Sequence, residues 1–171
     1  ARAMHWLTVL LVFSTMPAGL VMVQKGIPRE LGNALFIYHK NVGVLLLLLV
    51  LARLAYWLWN PPPPLPAHVA GWQRHVSGVT HAALYALLLV MAVSGYIRVA
   101  AGGFPIEMLD ALGIPRLAPR SDTLANTAKA VHFWVRFPLG ALIVLHVGAA
   151  LMHLLVKRDG VFGRMWPRRA G

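Results

Sequence analysis

Eight histidines and no cysteine stand in a chain of 171 residues. His68 and His75 lie in a proline-rich connection and read as solvated loop residues. The other six, His5, His39, His81, His132, His146 and His153, lie within or at the ends of long apolar segments. An ionisable side chain is costly to keep in such a setting, and six together call for a cofactor or a proton path. Their spacing narrows the chemistry. His132 and His146 are fourteen residues apart, which on a helix is about 320° of rotation and about 21 Å of rise. They share a face at two depths, as two stacked porphyrins near opposite membrane surfaces would require. A binuclear zinc or copper site would need ligands within a turn or two of each other and carboxylates nearby, and no acid lies in these apolar segments. Without cysteine, iron–sulfur clusters and covalent c-type haem attachment are excluded. What remains is b-type haem held by two imidazoles.

The elements that position these residues follow from composition. Hydrophobic residues make up 58% of the chain and charged residues only 12%, about half the charged share of a soluble domain. Met4–Val23, Leu35–Trp59, Val76–Ala101 and Val131–Val156 are each near or above the roughly 20 residues that cross a bilayer as a helix. None carries the polar stripe of a soluble bundle or the period-two alternation of a barrel strand. The expectation is an all-α, integral membrane four-helix bundle with up-down topology, a single domain over residues 1–171. Asn60–Pro66, with four consecutive prolines, reads as a stiff turn, and Gly102–Ala128 as the longest loop. The net charge of +11 does not point to nucleic acid, because of where it sits. Arg2, Arg53, Arg74, Lys157, Arg158, Arg164, Arg168 and Arg169 fall on one side with a single acid, Asp159. The tail sits at a helix end, whereas the other side carries seven basic residues interspersed with four acids. The positive-inside rule therefore places both termini in the cytoplasm. Trp6, Trp57, Trp59, Trp72 and Trp134 fall near helix ends, as an aromatic belt in lipid would place them.

Helix direction sorts the histidines by depth. His39 and His132 each begin a helix at the outer surface and pair for an outer haem. His5 starts at the inner surface and is left to pair with His146 for an inner haem, although by depth alone His153 or His81 could also serve. His146 and His153 are only about 10.5 Å apart along the axis, too close for two haem layers, so one of them does something else. Gly19 and Gly95, fourteen residues after His5 and His81, and Gly43, one turn after His39, fall where a porphyrin edge would meet the helix backbone. Arg136, one turn after His132, could meet an outer propionate, and Arg53 an inner one, or Arg53 could snorkel to lipid headgroups.

The segments "MHWL" (4–7), "YHKNVG" (38–43), "THAALYALLLVMAVSG" (80–95), "VHFW" (131–134), "LHVGAALMH" (145–153) and "KRDGVFGRMWP" (157–167) together resemble the bacterial cytochrome b561 family. These are four-helix dihaem proteins of the inner membrane. The resemblance implies four iron ligands at His5, His39, His132 and His146. It leaves His81 and His153 unligated, near a quinone and a proton route on the cytoplasmic side. Gly78 stands where some relatives carry a further histidine. The implied function is electron transfer from superoxide, taken up at the outer surface, to ubiquinone. Lys40, Lys129, Arg136 and Arg98 would draw the anion in, and His81 and His153 would deliver protons. The competing reading is a haem b anchor for a separate dehydrogenase or hydrogenase. A solute or metal transporter is disfavoured, because the helices hold no acids and no symmetric broken pair.

Overall fold

Every long apolar segment is a helix, and three of the four begin well before their apolar stretch does. The computed structural model describes residues 1–166, so Arg168 and Arg169 of the basic tail lie outside the described residues. The long helices are α1 (Arg2–Val21), α2 (Arg29–Trp59), α3 (Gly71–Ala101) and α5 (Asp122–Met152), with a short α4 (Glu107–Ala111) between α3 and α5. All four long helices are long and apolar enough to cross a membrane, and no strand occurs among the described residues.

The early starts have local causes. Helix α2 opens at Arg29 rather than Leu35, directly after Pro28 and with Glu30 in its first turn, where a carboxylate is favoured by the helix dipole. Helix α5 opens at Asp122 rather than Val131, because Ser121 caps it, its hydroxyl accepting from the Leu124 N–H at 3.2 Å. The polar first turns carry these helices past the hydrocarbon into the interface. The expected loop at Gly102–Ala128 is therefore shorter, and it contains α4. Large apolar side chains such as Leu10, Phe13, Leu48, Val144 and Leu145 point outward, as lipid-facing surface does when the bilayer is the solvent.

Beyond Met152 the helix widens into a π-helical turn, His153–Lys157. It stops at Arg158, whose φ of 49° is left-handed and turns the chain back on itself. The returning segment is fastened to the start of α1. Arg2 Nε donates to the Arg164 carbonyl and Trp6 Nε1 to the Met165 carbonyl, both at 2.8 Å. Arg164 in turn donates to the carbonyls of Pro63 and Pro64. The start of α1, the proline turn and the C-terminal segment thus share one end of the bundle, as an up-down order requires.

Helix α1 packs on α2, α2 on α3 and α3 on α5, whereas α1 and α5 make few close backbone approaches. The main core lies at mid-depth, where Val12, Leu46 and Val50 meet Leu88, Leu89 and Ile143. A second cluster, Val44, Val99 and Ile106, seats the α4 loop on the opposite end. The mid-depth core separates two layers of histidines.

Candidate functional site

The layer at the α4 end, named outer after the orientation expected from the sequence, is built by α2 and α5. The rings of His39 and His132 face each other with centroids 6.1 Å apart and planes at 86°. Each ring is held by a neighbouring helix. His39 Nδ1 donates to the Thr15 carbonyl at 2.9 Å and lies 3.1 Å from the Thr15 hydroxyl. His132 Nδ1 donates to the Met91 carbonyl at 2.9 Å and lies 3.3 Å from the Ser94 hydroxyl. With Nδ1 committed to an acceptor, Nε2 is the nitrogen left with a lone pair for a metal. The glycines serve these rings directly. A Cβ on Gly19 would stand 2.7 Å from His39 Cε1, and one on Gly95 would stand 3.0 Å from His132 Cε1. At both glycines the group making the close approach among the protein's own atoms is an imidazole. At Gly43 an added Cβ would meet open space.

The inner layer holds three histidines. His5 on α1 faces His146 on α5 at 6.2 Å with planes at 71°. His81 on α3 lies closer to His146, at 5.2 Å, and its Nδ1 is bonded back to the Ser77 carbonyl of its own helix at 2.8 Å. Helix α5 runs unbroken from His132 to His146 in spite of Pro138, so the two layers keep the separation of about 21 Å set by helical rise.

Charged groups near the two layers differ in how free they are. Arg136 lies over the rings of Phe133 and Phe137, at 4.0 and 4.6 Å, and its buried Nε has no hydrogen-bond partner among the described residues. Arg98 is close enough for its charge to act on both His39 and His132. Lys40, expected to add to this positive field, is 9% exposed and spoken for. Its Nζ donates to Glu107 Oε1 and to the Pro105 carbonyl, both at 2.7 Å. Asn41 completes the clamp, donating to Glu107 Oε2 and accepting from the Met108 N–H. Burial alone would raise the Glu107 carboxyl, but the bonds from Lys40 and Asn41 hold it below the usual carboxylate range. Lys40 docks α4 on α2, which leaves Arg98, Arg136 and the exposed Lys129 as the other cations of this layer. On the inner side Arg53 does not snorkel. Its guanidinium donates to Thr8 Oγ1 at 2.7 Å and sits 5.1 Å from the Tyr85 ring centre, inside the bundle and one turn from His5.

The chain matches the family model for prokaryotic cytochrome b561 over residues 1–168. The chain belongs to the prokaryotic cytochrome b561 family. It is 31% identical to cytochrome b561 homolog 2 of Escherichia coli (strain K12) over 166 residues, 96% of this chain and 88% of that one. It is 27% identical to the probable superoxide oxidase CybB of Yersinia pestis over 168 residues, 98% of this chain and 93% of the relative. Membership makes this a multi-pass bacterial membrane protein of electron transfer, and it implies haem b. The residues fit that group. Two opposed imidazole pairs about 6 Å apart are a donor set for a metal bound on both faces, and the unpartnered Arg136 Nε is a donor in search of an anion.

One feature of this cytochrome was not legible as a site. At the inner end, His153, Leu154, Arg158, Gly160, Phe162, Gly163 and Trp166 line an open cleft of about 560 Å³. His153 Nδ1 meets Asp159 Oδ2 at 2.6 Å, with both side chains largely buried. Burial alone would raise Asp159, but the bond to His153 and the Val161 N–H hold it below the usual carboxylate range. His153 and His81 are not brought together, since one belongs to this cleft and the other to the ring of His146. Asp159 escaped the sequence reading because it lies outside the helices. Its signal was a lone acid six residues after a histidine at a helix end.

Proposed function

We propose that this cytochrome carries electrons across the bacterial inner membrane from superoxide at the outer surface to ubiquinone at the inner one. Two haem b groups would be held by His39 with His132 and by His5 with His146. The observation that carries the reading is the pair of opposed imidazoles at 6.1 and 6.2 Å, one at each depth. Haem b supplies the one-electron redox chemistry that no side chain here provides.

The chain's own residues do the rest. Arg98, Arg136 and Lys129 set a positive field around the outer pair, which raises the encounter rate of a small anion. Arg136 Nε and the Arg53 guanidinium are the donors for outer and inner carboxylates, with Thr8 and Tyr85 fixing the latter's direction. Phe162 and Trp166 give the inner cleft apolar flat walls suited to a quinone ring. Two superoxide ions give up one electron each and leave as dioxygen, while ubiquinone takes both electrons and two protons to become ubiquinol. His153 lines the cleft with Nδ1 donating to Asp159, so its Nε2 lone pair takes up a proton from water and passes that proton to the quinone oxygen. His81 is the second proton-carrying candidate, placed beside His146. The basic end formed by Arg2, Arg74, Lys157, Arg158 and Arg164 faces the cytoplasm.

The test is the purified protein alone. We expect a low-spin b-type spectrum, two haems per chain in a pyridine haemochrome assay, and ubiquinol formed from superoxide. A ratio of one haem or none would overturn the two-site reading. Two haems without ubiquinol formation would move the electron donor to a partner dehydrogenase.

A further inference from the structure

Helices α1 and α3 carry the same device in the same register. His5 and His81, Thr15 and Met91, and Gly19 and Gly95 each stand 76 positions apart (81−5, 91−15, 95−19). In both helices the carbonyl ten residues after the histidine accepts from an incoming imidazole Nδ1, at 2.9 Å in each case. In both, the residue four further on is the glycine against which that imidazole packs. The spacing has a physical reason. Side chains on a helix lean toward its N-terminus, so a Cβ at position i+4 overhangs the carbonyl of position i. A glycine there uncovers the carbonyl, whose second lone pair can then take a donor from outside the helix. A buried hydroxyl completes each cradle, Thr15 in α1 and Ser94 in α3. The hydroxyls occupy different positions of the repeat, so the two helices reach the same ring contact by different residues.

We infer that Thr15–Gly19 and Met91–Gly95 are a matched pair of imidazole cradles. They fix the ring planes and the Nδ1-protonated form of His39 and His132, and strengthen both rings as donors to the outer metal. Thr15, Gly19, Ser94 and Gly95 are positioning residues, acting through the two histidines. The inference rests on the reading of His39 and His132 as iron ligands. Hydrogen-bonding the far nitrogen of a metal-bound imidazole raises its basicity, and a more basic ligand favours the more positive metal. The cradles therefore lower the midpoint potential of the outer haem.

The experiment is a potentiometric titration with EPR of the full-length protein carrying Thr15→Val, Ser94→Ala or Gly19→Ala, beside His39→Ala. Thr15→Val and Ser94→Ala keep two haems per chain. They shift the outer haem's midpoint potential upward and move its low-spin g-values, leaving the inner haem's signals where they were. The shift is smaller for Ser94→Ala, whose contact is the longer. Gly19→Ala drives a methyl into the His39 ring, and its haem-to-protein ratio falls from two toward one. Unchanged potentials and g-values in both hydroxyl variants would overturn the inference even if Gly19→Ala failed to fold. Retention of both haems by His39→Ala would instead overturn the ligand reading beneath it.

Discussion

The inner layer poses a choice that distance decides. His146 has two histidines beside it, His5 at 6.2 Å and His81 at 5.2 Å between ring centres. With a metal–nitrogen bond of about 2.0–2.1 Å and a nitrogen about 1.1 Å from its ring centre, two imidazoles across one metal stand about 6.2–6.4 Å apart. The His5–His146 pair meets that span, as does the outer pair at 6.1 Å. The His81–His146 pair falls about 1 Å short, and the bond from His81 Nδ1 to the Ser77 carbonyl holds the ring at that distance. His81 would have to move outward against α3 to admit a metal. We therefore expect His5→Ala to halve the haem content, from two per chain to one, and to remove the inner haem's share of the absorption and EPR signals. His81→Ala should retain two haems with both sets of signals intact. The assay is a pyridine haemochrome ratio on purified protein with redox-resolved spectra. Two haems in His5→Ala together with one in His81→Ala would refute the distance argument and give the ligand role to His81.

Three further outcomes follow from the same geometry. His39→Ala and His132→Ala should each lose the outer haem and spare the inner one, as read by which potential disappears in a titration. His153→Ala should keep both haems yet slow reoxidation of the reduced protein by added ubiquinone, and His81→Ala should do so less, since only His153 lines the cleft. Asp159 is held below the usual carboxylate range, so it stays ionised above its ordinary value and loses its grip on His153 only as pH falls through that lowered one. Stopped-flow traces for His153→Ala identical to wild type from pH 6 to 8 would remove it from the proton route. Lys40→Met should loosen α4. Two charge-assisted bonds are lost, but Glu107 is more than a third exposed, so the cost is about 2 kcal/mol. Hydrogen exchange at the Met108 amide should then rise by about 10-fold or more.

The partner of His146 was open among His5, His81 and His153, whereas the four spans and the order of the histidines by depth were legible in the sequence. Each depends on one helix at a time, through apolar length, direction and a fixed rise per residue. The early starts of α2 and α5 were less legible, because caps and first-turn charges extend a helix past its apolar stretch. What only the tertiary structure decided is how neighbouring helices touch. Lys40 looked like a free cation beside an iron ligand until α4 brought Glu107 to it. Register placed Gly19 and Gly95 at the outer layer, and only packing shows that the rings of His39 and His132 lie against them. His153 and His81 looked equivalent by depth, yet one turns to Asp159 across a chain reversal at Arg158 and the other packs edge-on to His146. Periodicity places a residue on a face and at a height. Which group from another helix stands opposite is set by packing between helices, and no single segment encodes it.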